Sequence, residues 1–160
     1  MLFRSRLAAH RVDVMALVGN DERQIGNIAD REVVTWAEAA EMPLCLLTPD
    51  MQNRRIVDGV FRSVGCEPRA AVETNSIINL CSHVSSGLWS SVLPYALLSL
   101  LGLPEGTKAL RLTTPAVKHT IGLLIADREP PLPLARALFL QAPGLGLEAA
   151  IRQRLPIRAE

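Results

Sequence analysis

The sequence predicts an α/β fold in which a mostly parallel sheet carries helices on both faces. Two observations predict it. Short apolar runs alternate with stretches whose apolar residues recur every third or fourth position, the rhythm of strand then amphipathic helix. Hydrophobic residues make up 49% of the 160 and charged residues 21%, enough apolar material for one compact core and too much for disorder. Aromatic residues are only 4%, so that core must be built from Leu, Ile, Val and Ala.

The elements follow in order. Residues 12–18 are an apolar run ended by Gly19-Asn20-Asp21, a strand and its turn. Residues 20–32 are polar and read as a surface loop. Thr35 followed by Glu38 is a capping box for a short helix from Trp36 that Pro43 stops. Leu44 to Leu47 is a short apolar strand, and Thr48-Pro49-Asp50 reads as a turn and helix start. The helix that follows places Ile56, Val57, Val60, Phe61 and Val64 on one face and ends at Gly65.

Residues 69–72 form a strand candidate, and Glu73-Thr74-Asn75-Ser76 supplies cap chemistry for a helix with Ile77, Leu80, Cys81 and Val84 on one side. Residues 89–93 read as a strand closed by Pro94, residues 95–101 as a helix ended by Gly102, and residues 108–112 as a strand. Residues 117–126 are β-branched at several positions and read as a strand. A Pro-rich turn covers 127–133. A last helix starts near Leu134 and breaks at Pro143-Gly144 before a second stretch over 147–155. Strands alternating with amphipathic helices imply parallel pairing.

Charge and cysteine usage exclude several classes. A formal charge of +1 is not the footprint of a domain that neutralises many phosphates, so direct DNA binding is not expected. Cys45, Cys66 and Cys81 form no CxxC pair and sit in apolar segments, as reduced, buried thiols do. His10, His83 and His119 are far apart, with no zinc spacing, and no metal or cofactor is expected. No apolar run is long enough to span a membrane, and the first six residues lack the apolar stretch of a signal peptide. A cytoplasmic location is expected.

The segment Pro43-Leu44-Cys45-Leu46-Leu47-Thr48-Pro49, then Arg54-Arg55-Ile56-Val57-Asp58, Phe61, Gly65, Pro68 and Glu73, resembles the middle of LysR-type effector-binding domains. Gly87-Leu88-Trp89-Ser90-Ser91-Val92-Leu93-Pro94 is similar to that family's glycine-rich segment before a strand. Val34-Thr35-Trp36-Ala37-Glu38 looks like the short helix that precedes the family's "LPL" strand. The resemblance covers residues 10–142. It implies a lobe like that of a type 2 periplasmic binding protein, with residues 12–117 as the second lobe of the sensing domain. Residues 118–160 then look like the return strand and C-terminal helices of the other lobe. A family member would begin with a helix-turn-helix and the first half of that other lobe, and neither is present. Trp89 stands where the family has a glycine, so ligand shape cannot be copied from the family.

Ligands of parallel sheets bind beyond the strand C-termini, where helix N-termini present free N–H groups that favour anions. Two such junctions are readable, at 48–53 and 74–76. The resemblance puts effector contacts on the first, giving Thr48, Gln52 and Asn53 as candidates, with Arg54 as a counter-charge. Thr74 and Asn75 are the candidates at the second. The plainer reading of each is structural: Thr48 or Asp50 capping one helix, Asn75 or Ser76 the next, Arg54 or Arg55 paired with Asp58.

The expected function is thus a small-molecule sensing module of a LysR-type regulator. A small, anionic effector would bias lobe closure, and homo-oligomer contacts would carry the signal to DNA-binding heads absent from this chain. A stand-alone solute-binding protein of the same architecture is the alternative. An enzyme is not expected: there is no phosphate loop, no paired catalytic carboxylates and no GxSxG elbow around the serines at 82–91. His83 reads as a surface or packing residue. Leu123, Leu124, Leu138 and Leu140 are expected to be left uncovered, or to drive dimerisation, where the other lobe is incomplete.

Overall fold

The computed structural model describes residues 5–19, 31–126, 130 and 132–154 of the chain. Its elements are β1 (Ser5–Gly19), β2 (Val33–Thr35), α1 (Trp36–Ala40), β3 (Leu44–Leu47) and α2 (Gln52–Ser63). There follow β4 (Ala70–Thr74), α3 (Ile77–Ser85), β5 (Ser90–Pro94), α4 (Tyr95–Leu101) and β6 (Thr107–Thr113). The chain continues through β7 (Lys118–Ala126), α5 (Pro133–Gln141), a 3-10 turn (Ala142–Leu145) and α6 (Leu147–Arg154). Most of the polar loop expected at 20–32, and most of the turn expected at 127–133, lie outside the described residues.

The sheet runs β2-β6-β1-β5-β3-β4, with β7 also on β1. Pairs β2/β6, β3/β5 and β3/β4 are parallel, as strand–helix–strand crossovers require. The antiparallel pairs are β1 with β5, β6 and β7. Strands β2, β3, β4, β5 and β6 therefore share one direction, and β1 opposes them from the middle of the sheet.

β1 is 15 residues long, well beyond the stretch at 12–18 that its apolar pattern marks. Pairing supplies the difference. Ser5 to Asp13 pair with β7 as a two-stranded ribbon, and only residues 14–19 enter the main sheet between β5 and β6. The outer half needs no apolar run because its hydrogen bonds are made to β7.

Strand alternation sorts the core onto two faces. Val14, Ala16, Val18, Leu44, Leu46, Val92, Leu110 and Leu112 point to one face, where Trp36 of α1 and Val57 and Phe61 of α2 cover them. Met15, Leu17, Cys45, Leu47 and Leu93 point to the other, under Leu80 and Val84 of α3 and Tyr95 and Leu98 of α4. Helices thus lie on both faces. Cys45 is buried, whereas Cys66 and Cys81 are only half-buried, and all three are free thiols. The Cys66 position follows from its place just past Gly65, the left-handed residue (φ 74°) that ends α2.

The C-terminal segment is less covered. No residue of α5 is buried among those described, and Leu134, Leu138 and Leu140 are 87%, 55% and 64% exposed. Leu123 on β7 is exposed too, while the Leu124 side chain lies outside the described set. α6 turns back onto the main lobe. The Ile151 carbonyl accepts hydrogen bonds from Ser99 Oγ (3.0 Å) and Tyr95 Oη (3.4 Å) of α4.

The capping box of α1 forms as the sequence indicates. Thr35 Oγ1 accepts from the Glu38 amide (3.2 Å) and Glu38 Oε2 accepts from the Thr35 amide (2.8 Å). Arg31 adds two hydrogen bonds to the same carboxylate, at 2.8 and 3.1 Å. The Arg31 guanidinium and then the Thr35 amide and hydroxyl hold Glu38 down to about 2 from a usual 4.5. A lowered folded-state value adds stability above pH 4.5 that is lost as pH falls toward 2. Glu38→Gln is therefore expected to lower the melting temperature at pH 7. The gap to wild type should close between pH 4.5 and 2 in circular-dichroism melts. The carboxylate is 41% exposed and screened, so the effect stays under about 1 kcal/mol.

Candidate effector site at the sheet rim

The register fixes which strand ends share an edge. Val14, where β1 enters the sheet, lies opposite Pro94 at the C-terminal end of β5, and Val18 lies opposite Ser90 at its start. β3 runs alongside β5 in the same direction, and Leu47 at its end faces Thr74 at the end of β4. On the other side of β1, Thr113 ends β6 beside Thr35, which ends β2. The C-termini of β2, β3, β4, β5 and β6 thus share one edge, the edge from which the β1/β7 ribbon departs. Helices α1, α2, α3 and α4 start at that edge.

Threonine stands at or just past the end of β2, β3, β4 and β6, and the hydroxyls are used differently. Thr35 caps α1. Thr74 Oγ1 accepts from the Ser76 amide (3.1 Å), and Thr113 Oγ1 donates to the Val34 carbonyl (3.4 Å). Thr48 Oγ1 is sealed from solvent and has no partner. Asn53, in the first turn of α2, donates from Nδ2 to the Val92 carbonyl (3.4 Å), while its Oδ1 is sealed and unpartnered. Leaving a buried polar atom unpaired costs about 1–3 kcal/mol, so two in one turn form a costly, polar spot.

Neither Thr48 nor Asp50 caps α2, contrary to that structural expectation. The N-cap is Met51, which offers no side-chain bond, and no acidic residue occupies the first turn. Thr48 stays with the sheet because its amide donates to the Thr74 carbonyl (3.0 Å), and its own carbonyl accepts from Met51. The first N–H groups of α2 are therefore left uncapped by side chains, which favours a negative group there.

The other sequence candidates divide clearly. Gln52 is exposed at the start of α2. Arg54 is 11% exposed and held by three oxygens: Asp58 Oδ1 (2.8 Å), Glu73 Oε1 (2.7 Å) and the Leu47 carbonyl (2.7 Å). Burial opposes its charge, but the hydrogen bonds to Glu73 and Asp58 outweigh that and raise its pKa. Arg54 thus ties α2 to the ends of β3 and β4. At the second junction Ser76, not Asn75, caps α3 by accepting from Asn79. Asn75 is exposed and Thr74 half-buried. The structure brings Thr48 and Thr74 together, and with them the two junctions.

Two residues at the rim escaped sequence reasoning. Trp36 is fully buried, meets Phe61 edge-on at 5.0 Å and donates from Nε1 to the Pro115 carbonyl (2.9 Å), which fastens the segment after β6 to α1. Its position just after the cap residue was the available signal. Arg111 lies within the strand read at 108–112, and its Nε is sealed and unpartnered.

A mixed sheet of this order, with helices on both faces and a two-stranded ribbon leaving at the edge of the strand C-termini, defines a lobe of the periplasmic-binding-protein-like class. Residues 6–142 match the LysR substrate binding domain, and the chain belongs to that family of effector-binding domains of transcriptional regulators. A probable nitrogen assimilation transcriptional activator of Synechococcus elongatus is 28% identical over 71 residues, which are 44% of this chain and 23% of that protein. The crystal structure of CbnR, a LysR family transcriptional regulator, superposes with a TM-score of 0.67 at 17% identity, over 94% of this chain and 47% of that one. The effector binding domain of QuiR in complex with shikimate gives 0.67 at 13% identity, over 93% and 64%. The C-terminal domain of a probable LysR family regulator from Rhodococcus gives 0.65 at 21%, over 85% and 66%. The chain therefore spans about half the length of a full regulator of this family. Among the described residues, no helix is long and apolar enough to cross a membrane.

Proposed function

We propose that the chain senses a small, anionic effector for a LysR-type transcription regulator, and that the effector docks on the 48–53 turn. The observation that carries this reading is the shared rim: the turn sits at the edge from which the ribbon leaves, where a second lobe completes a cleft. Residues 12–117 form the sensing lobe in this reading. Residues 118–160 supply the return strand and helices of the other lobe, with α6 latched onto α4.

In this reading Thr48 and Asn53 contact the effector, and the uncapped amides at the start of α2 receive its negative group. Gln52 lies at the mouth of the turn, and Thr74 and Asn75 line the neighbouring junction. Arg54, offered by its sequence position as a counter-charge, is already neutralised by Asp58 and Glu73, so it orders the turn instead. The module performs no catalysis and takes no cofactor. Effector binding biases lobe closure, and homo-oligomer contacts pass the bias to DNA through a helix-turn-helix that these residues do not include. The setting is the cytoplasm.

A thermal-shift screen of small carboxylates, followed by calorimetry on the regulator that carries this domain, tests the assignment. Asn53→Ala is expected to weaken the best ligand about tenfold, the loss of one well-placed hydrogen bond. Unchanged affinity removes the turn from the site.

A further inference from the structure

The Arg111 side chain makes no hydrogen bond or ion pair among the described residues, although its backbone is part of the sheet. The register pairs it with Met15 on β1 and with Val33 on β2. Its side chain therefore leaves the sheet on the face of Met15, Leu17 and Ala109, opposite to Leu110 and Leu112. That is the face of α3 and α4, not the face where α2 carries Asn53. Met15 beside it is fully buried, in the cluster of Tyr95, Leu98 and the Ile151 side chain of α6. Arg111 itself is half-buried, and its Nε is closed to solvent without a hydrogen-bond partner.

No carboxylate among the described residues compensates this charge. The ion pairs there engage Arg31, Arg54 and Lys118. Asp13, two positions along β1 from Met15 and on the same face by strand alternation, faces Lys118 at 3.9 Å. Arg54 shows the paired condition within the same chain, with two carboxylates on one guanidinium. A partly buried guanidinium left without a counter-charge costs stability that a methionine or leucine at the same position would not. Its Nε–H and neighbouring Nη–H form a planar fork that matches two oxygens of one oxyanion.

We infer that Arg111 is an anion-docking residue, separate from the 48–53 turn, that takes a carboxylate or phosphate oxyanion on its Nε edge. The oxyanion comes either as a free small ion or as an acidic side chain of protein outside these residues. Both sources place a negative group beside Met15, two residues past the last ribbon residue of β1, Asp13.

Arginine Nε–H NMR on the 160-residue chain tests this, with sodium phosphate and sodium acetate titrated at constant ionic strength against chloride. The Arg111 resonance is expected to shift saturably, and the melting temperature to rise with the anion. Arg111→Met should melt higher than wild type in chloride and respond at least about tenfold more weakly to either anion. Arg111→Lys, which keeps the charge without the fork, should fall between them and covers the case in which the methionine variant does not fold. A protein carboxylate as the source gives a different pattern. The chain then shows no saturable shift, whereas a longer protein with the rest of the sensing domain has the shifted resonance before any anion is added. The inference is overturned if Arg111→Met melts lower in chloride, if it keeps the wild-type anion response, or if neither protein shows a shifted Nε–H resonance.

Discussion

Trp36→Ala is expected to remove about 3–5 kcal/mol of stability and to lower the melting temperature on the order of 10 °C. The indole is fully buried between the sheet and α2, so truncation leaves a cavity that Phe61, its edge-on neighbour, cannot fill alone. The loss approaches the whole margin of an ordinary domain, which is about 5–15 kcal/mol. Rim geometry suffers as well, because the Trp36 Nε1 bond to the Pro115 carbonyl holds the segment beyond β6. Trp36→Phe separates the two effects. It keeps most of the apolar contact and gives up the hydrogen bond, for a cost near 1 kcal/mol. Chemical denaturation of the three proteins checks the order. A Trp36→Ala protein within 1 kcal/mol of wild type, by order of magnitude, would contradict the packing argument.

Gly19→Ala is the second large effect, and here no side chain can step aside. A Cβ on Gly19 would stand 2.7 Å from Gly87 Cα, 2.9 Å from the Gly87 carbonyl carbon and 2.8 Å from the Val84 carbonyl oxygen. All three are backbone atoms at the end of α3, so the helix must move off the sheet edge. The expected cost is about 1–3 kcal/mol, and Gly19→Val should exceed it. Gly59 supplies the opposite sign within the same protein. It lies in α2 with open space around an added Cβ, so Gly59→Ala should gain about 0.5–1 kcal/mol from helix propensity. Thermal melts of the two alanine variants should move in opposite directions. A shared direction would mean that glycine content alone, not the Gly19/Gly87 approach, sets the response.

The Gly19 approach also explains part of the sequence pattern. Gly87, at φ 83°, ends the helix and at the same time lets β1 come close. Trp89, two residues on, is half-buried and packs against the α3/α4 side of the core.

What was legible in the sequence was local. The Thr35/Glu38 box, the helix at 95–101 and the apolar face of α2 each declare themselves within a few residues, and each formed where expected. What was not legible depends on partners far along the chain. The outer half of β1 carries Arg6, His10 and Arg11 and becomes a strand because β7 pairs with it, over one hundred residues later. Thr48 looks like a helix cap, but a hydrogen bond to Thr74 holds it in the sheet. The pairing of Arg54 with Asp58 was readable from their spacing and forms, whereas the second carboxylate, Glu73, comes from the next strand and was not. The position of the 48–53 turn at a strand C-terminus was readable from the order of elements. Which of its atoms are sealed and unpaired was not, because that depends on Val92 and the neighbouring strands.

The long strand β1 also sets how anything attached to its outer half can move. Its inner half is clamped on both edges, by β5 and by β6, and a slip of one residue would turn Met15 and Leu17 out of one core layer and into the other. A slip would therefore disturb both core layers at once, which leaves twist about the strand axis as the cheaper motion. If the rim takes an effector as proposed, the ribbon would feel it through its angle rather than through its reach.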